Sequence, residues 1–390
     1  MTDTDWFTAS AGELPTEAEE IWRYSRISEL DLGAYRPADA AGAGGVPVEV
    51  ESLLAAIGTR SALVVTSNGH LVVSEGSGIG RAETLGEAAH NPDAFAALNT
   101  ALVPDPILIE VPNGKAIREP IVIVHWLDAD EVAAFPRVVV RVGEAAEATV
   151  VEVVASPDVA AFVAPVAELK VAQTGILKYV TIQDLGPRVW SIAYQGSEVD
   201  QEGTLRSATV ALGGDYARQR TDSRLVGAGA TSNLLAVYFG AARQMHDFRT
   251  LQDHRAPKTT SDLLFKGAVA GAAHSVYSGL IRVEKGARGT NAFQTNRNLV
   301  LAEGARADSV PNLEIEENEL RCSHASAVGP IDEEQRYYLE SRGVPPEVAG
   351  RLIVLGFLGE VLETIPVVGL RSHLRECLAD KLDRADTDLL

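Results

Sequence analysis

With 390 residues, 46% of them hydrophobic and 23% charged, the chain has the composition of a globular protein that can bury a large core, over two or three domains by length. A formal net charge of −20 without any Lys/Arg cluster excludes the electrostatics by which proteins hold nucleic acid or anionic lipid. Two cysteines are too few for a disulfide framework, and this chain alone cannot supply the several thiolates that typical iron–sulfur or structural zinc sites require.

The opening MTDTDWFTASAGELP lacks the basic and apolar regions of a secretory signal, and no run reaches membrane-span length, so the cytoplasm is the expected compartment. Residues 16–35, TEAEEIWRYSRISELDLGAY, begin as a helix-like acidic segment carrying Trp22, Arg23 and Tyr24, and RPADAAGAGGVP reads as a flexible linker. A helix is expected at VEVESLLAAIG. In SALVVTSNGHLVVSEG, Asn68-Gly69 between two β-rich runs predicts a hairpin. Residues 83–101 read as helical again. Residues 1–103 are therefore expected to form a small mixed α/β domain.

From 104 the texture is all-β: short Val/Ile/Leu/Tyr runs separated by small turn residues, with no long helix between them. Sandwich, barrel and β-helix all fit the run lengths. Recurring corners such as GEAAEAT, VGAGATS and EKGARGT favour a stacked solenoid over residues 104–329.

Residues 330–390 read as helical. Asp332-x-x-Gln335 is a capping-box variant opening a helix that stops at Gly343. PPEVAGRLIVLGFLGEVLETI is apolar nearly all round, which suits a core or docking helix. In GLRSHLRECLADKLDR, Leu370, Leu374, Cys377 and Leu378 form one stripe, so Cys377 is expected to be a small buried hydrophobe.

Cys322 differs. If ELRCSHA is a strand, Leu320, Cys322 and His324 share a face, with Cα atoms of residues two apart separated by roughly 6.6–7 Å. Core packing, a metal-ligand pair and a nucleophile with its base all remain open on pattern alone. Two ligands do not close a tetrahedral site, and no oxyanion hole or orienting carboxylate is flagged. The other histidines are scattered. His246 and His254, flanked by Asp247 and Asp253, read as a hydrogen-bonded loop, and the acidic run 313–320 as a solvated edge. No Walker A, H-E-x-x-H, G-x-S-x-G or G-x-G-x-x-G opening a helix occurs.

Three successive stretches, DHRAPKTTSDLLFKGAVAGAAHSVYSGLIRV, GARGTNAFQTNRNLVLAEGARADSVPNLEI and LRCSHASAVGPIDEEQRYYLESRGV, resemble the SufB/SufD family of iron–sulfur cluster assembly proteins. ALGGDYARQRTDSRLVGAGA and EEIWRYSRISELDL add to the match. The low cysteine count places the resemblance on the SufD side. It implies a right-handed parallel β-helix core between terminal helical segments, in a cytoplasmic, non-enzymatic subunit. That subunit would pair with a SufB-like paralogue through the β-helix and bind the SufC ATPase through its C-terminal helices. Alone, the chain would be a candidate homodimer.

The resemblance also makes Cys322 and His324 partial ligands for iron or a nascent cluster at the SufB interface. No cofactor is expected in the isolated chain. A transient iron or Fe-S cluster, and a reduced flavin as a further candidate, would belong to the complex. The family usually reads C-S-H-G-A-T, whereas Ala325-Ser326 follow the histidine here, which puts the local backbone in question if that glycine supplies a positive φ. The alternative function is a structural β-helix interaction protein in which Cys322 and His324 are core.

Overall fold

The computed structural model describes residues 5–41, 45–90 and 92–385. Their main feature is a parallel β-solenoid of about eight turns, each turn giving one strand to each of two facing sheets. One sheet has twelve strands and the other ten. Within each, the ladder joins coils rather than sequence neighbours: Ile176–Asp184 pairs with Thr204–Ala211, which pairs with Thr231–Gly240. A closed parallel stack buries both faces of most strands, hence the near-continuous Val/Ile runs instead of clean alternation.

Between the sheets lie Val64, Ile109, Ile123, Val140, Leu169 and Leu177, followed further along by Tyr238, Phe248, Phe265 and Tyr277. The outer faces are covered differently. The 12-stranded sheet carries α1 (Asp5–Ala11), the segment from Trp22 to Tyr35, and later α3 (Ala94–Leu102), whose Phe95 and Leu98 join Trp22, Phe162 and Trp190 in one cluster. The 10-stranded sheet carries α2 (Glu51–Ile57) and the two long C-terminal helices described below.

The Asn68-Gly69 hairpin forms as expected: Ala62–Ser67 pairs antiparallel with His70–Gly76, and both turn residues take positive φ, +50° and +90°. Its first strand also pairs in parallel with Ile121–Trp126, so the hairpin is hydrogen-bonded into the solenoid's own sheet. The helix-like acidic start expected for residues 16–35 does not become an α-helix. Three single 3-10 turns, Glu20–Trp22, Ile27–Glu29 and Leu32–Ala34, replace it. Tertiary contacts override local propensity there: Arg218 and Arg249 donate to the carbonyls of Ile21 and Arg23, which an α-helix would need for itself. The 83–101 helix is also shorter than expected, beginning only after Asp93, whose carboxylate accepts from the amides of Phe95 and Ala96.

After the last strand, Asp332 caps α4 (Glu333–Ser341) by accepting from Glu334 and Gln335 amides, and Gly343 ends it at φ +86°. Then come α5 (Pro346–Leu362) and α6 (Val368–Arg384). Val354, Leu358, Val361 and Leu362 of α5, with Leu370, Leu374, Leu378 and Leu382 of α6, pack on Val151, Val153, Val180, Val210 and Val237. Lys266 reaches from the sheet to the Phe357 carbonyl and the Glu360 carboxylate. Lys381 reaches back from α6 to the Leu212 carbonyl and, at 2.7 Å, to Gln244 Oε1.

Candidate functional site

The C-terminal end of the solenoid is open. Arg306–Ile315 is the last strand of the 12-stranded sheet and Leu320–Gly329 the last of the other, and each is paired on one side only. Both edges therefore offer backbone donors and acceptors to a further strand, except at Pro311, which sits at an outward-facing position of the first edge and has no N–H to give. Leu313 and Ile315 on one edge and Val328 on the other are exposed.

Cys322 and His324 lie on this second edge, and the segment is a strand as expected. Cys322 is in register with Ala292 and His324 with Gln294; both partners are buried inside the solenoid. Period-2 alternation then turns Leu320, Cys322 and His324 inward, at a mouth that no further coil covers. Cys322 is half-buried against the cluster of Ile281, Val283, Ala287 and Ala292, and that burial pushes its thiol pKa up. His324 is exposed. A thiolate and an imidazole two positions apart on one strand face can bind the same ion. Among the described residues no group of three or more His, Cys, Asp or Glu side chains is arranged to hold a metal, so this pair stands incomplete.

Ala325 raises no backbone difficulty. It pairs with Thr295 in mid-strand and is absent from the positive-φ positions, so no left-handed residue is required after His324.

Reading the sequence for charged and sulfur ligands missed the polar lining behind the mouth. Gln294 is buried with both amide atoms unpartnered, as is Gln252, and Ser309 Oγ on the opposite edge is likewise unsatisfied. Gly279 leaves room for this lining: a Cβ there would collide with the Tyr277 hydroxyl and come within 2.6 Å of Gln294 Nε2. Asn296 and Asn298, two and four positions beyond Gln294, bond the Tyr238 hydroxyl. The signal was present as polar residues at alternate positions in FQTNRN.

His246 and His254 do not make a site, and they do not sit on a loop. They lie towards opposite ends of one buried strand, Met245–His254, eight positions and roughly 26 Å apart. Burial lowers them to about 3 and about 4. The intervening Asp247 points outward, between Arg218 at 2.6 Å and Arg249 at 2.6 Å, and also accepts from the Tyr216 hydroxyl. Arg218 stacks 3.9 Å from the Trp22 ring centroid. This network fastens the N-terminal segment. Cys377 is half-buried at the edge of the helix–sheet core, 3.6 Å from His373 Nε2, with its thiol raised to about 11 by burial and by the Asp184 charge.

The helical unit also exposes apolar side chains. Tyr337 and Tyr338 on α4 and Val348 and Leu352 on α5 are exposed, as is Val368 at the start of α6. So α5 is both core and surface, on opposite sides. Among the described residues no helix is long and apolar enough to cross a membrane.

Comparison with known proteins follows the same lines. The family model for SUF system FeS cluster assembly, SufBD core domain, matches residues 125–357. The chain is 34% identical over 385 residues to an iron-sulfur cluster assembly SufBD family protein of Mycobacterium tuberculosis, covering 97% of this chain and 91% of that one. It is 28% identical over 384 residues to the iron-sulfur cluster assembly protein SufD of Escherichia coli, covering 95% and 89%. To SufD of Bacillus subtilis it is 29% identical over 293 residues, covering 74% and 67%.

Proposed function

This chain belongs to the SufB/SufD family of iron–sulfur cluster assembly proteins, and from that premise we propose that it is a non-catalytic scaffold subunit of the SufD kind. One observation carries the reading. A thiol and an imidazole face inward at the only solenoid end whose two parallel edge strands are both free among the described residues. A second β-solenoid seated on those edges would cover the mouth and supply the missing ligands. Iron or a nascent cluster is then cargo held between two chains, and incomplete ligation from this side keeps it transferable.

In this reading the partner at the mouth is a SufB-like paralogue, and the whole assembly works in the cytoplasm. The SufC ATPase docks on the exposed side of the C-terminal helices, around Tyr337, Tyr338, Val348 and Leu352. No acid, base or nucleophile is assigned to the chain. Cys322 rests partly on apolar neighbours and its pKa is raised, which suits a thiol that becomes a thiolate only when a metal binds.

Co-expression with the SufB-like and SufC chains of the same organism, followed by size-exclusion chromatography and iron and sulfide analysis under argon, tests this. A ternary complex with iron and sulfide dependent on Cys322 and His324 is expected. A chain that elutes alone in the presence of both partners would overturn it.

A further inference from the structure

The outer face of the 12-stranded sheet carries a row of charges in strict register. Glu198 pairs with Arg224, Arg224 with Asp253, Asp253 with Arg282 and Arg282 with Glu314, one residue from each of five consecutive coils. The signs alternate over these five coils, though not further back, where Lys170 faces Glu198 but has the like-charged Arg141 on its other side, both cations being paired with Glu87. Arg224 lies 3.5 Å from Asp253, and Arg282 lies 2.9 Å from Glu314. Opposite charges at neighbouring positions favour the register, and like charges oppose it. Glu314 ends the row on the open edge, where Arg282 is its ion-pair partner on the inner side.

We propose that this edge selects its partner by charge: the strand that continues the 12-stranded sheet presents a lysine or arginine to Glu314. The inference rests on the reading that a paralogous solenoid seats here, and it adds the chemistry by which that chain is told from others. The corner beyond Glu314 reinforces it, since Glu316, Glu317 and Glu319 follow within five residues, Glu316 and Glu319 being exposed. A second copy of this chain is the poorer match. Its edges would offer Arg306, already ion-paired to Asp308, and Arg321, only two residues from Glu319, and it would bring its own formal charge of −20. The fitting occupant is a different chain with a basic end to its edge strand.

The test measures the affinity of the SufB-like chain of the same organism for the wild type, Glu314→Gln and Glu314→Lys, at 50 and 500 mM sodium chloride. Glu314→Gln should weaken binding about 1.5- to 5-fold at low salt, and Glu314→Lys more. The differences should largely vanish at high salt, where the Debye length falls below about 5 Å. Glu314→Gln keeps the side-chain shape, and an unchanged melting temperature shows that the last coil is intact. Equal affinity of all three proteins at low salt would overturn the charge selection while leaving the paired-solenoid reading in place. No binding by the wild type would overturn both. A wild-type self-dimer, tighter than the heteropair and broken by Glu314→Lys, would make the second copy the occupant and overturn the choice of partner.

Discussion

His324 lies beside Gln294 across the outermost strand pair of the 10-stranded sheet, the imidazole exposed and the amide buried with neither of its polar atoms bonded. An apolar side chain in place of Gln294 would ask for no partner, whereas a buried amide that finds none costs about 1–3 kcal/mol. The arrangement suits a rim that is finished by something outside the chain.

Replacing His324 by alanine removes an exposed side chain, so stability should stay within about 0.5 kcal/mol of wild type. The purified complex should assemble normally and carry less iron. Cys322→Ser also removes sulfur contacts with Ile281 and Val283 and should lower the melting temperature slightly while reducing iron further. Melting temperature and iron content on the same preparation decide the matter. Wild-type iron in the His324→Ala complex would end the ligand role of that residue.

The C-terminal helices cannot be tested by deletion. Removing residues after Gly329 would uncover Val151, Val153, Val180, Val210 and Val237, and aggregation is the expected result. A charge on the exposed side of α5 separates docking from folding. Leu352→Asp should abolish co-purification of SufC and leave the thermal transition unchanged. Retained SufC binding would move the docking surface elsewhere.

Asp247→Ala should be far more damaging to stability than any change at the solenoid mouth. It leaves Arg218, wholly buried, and Arg249 without their shared carboxylate, at a cost of about 3–5 kcal/mol. Residues 20–35 should become sensitive to protease before the solenoid unfolds, because both arginines hold that segment by its carbonyls. Simultaneous loss of segment and solenoid would show instead that the network supports the coils themselves.

Lys381 makes the packing of α6 depend on pH. Burial pushes its ammonium down to about 7; Asp184 opposes the shift and Arg384 adds to it. Its unfolded pKa is near 10.4, so between about pH 7 and 10 the unfolded chain binds the extra proton. Stability should therefore rise with pH across that window and be least below 7. Hydrogen exchange of α6 amides, corrected for intrinsic rates, should slow from pH 7 to 9 in wild type. Lys381→Met should flatten that trend, and a variant with the wild-type slope would remove Lys381 as its source.

Local signals were readable wherever a feature depends on a few neighbouring residues. Asn68-Gly69 forms its turn because both positions must take positive φ, and Asp332 caps α4 because its carboxylate reaches two amides that no helix can satisfy internally. Where a segment's hydrogen bonds go to distant residues, local reading failed. The 16–35 segment has helix-like composition, yet Arg218 and Arg249, some 200 positions away, take the carbonyls of Ile21 and Arg23. His246 and His254 read as a loop in sequence because a strand's length is invisible until its end points are known.

The same division runs through the mouth of the solenoid. Sequence alone determined that Cys322 and His324 share a face once ELRCSHA is extended, since that follows from the period of two along any strand. It also determined that two cysteines cannot supply the thiolates of a typical iron–sulfur cluster. Only the tertiary structure decided that this face turns inward at the last coil, over Ala292 and Gln294, with both sheet edges open and Glu314 ending a row of alternating charge. Those facts depend on which coil stacks on which, and in a parallel solenoid every such pairing joins residues about thirty positions apart that no local pattern connects.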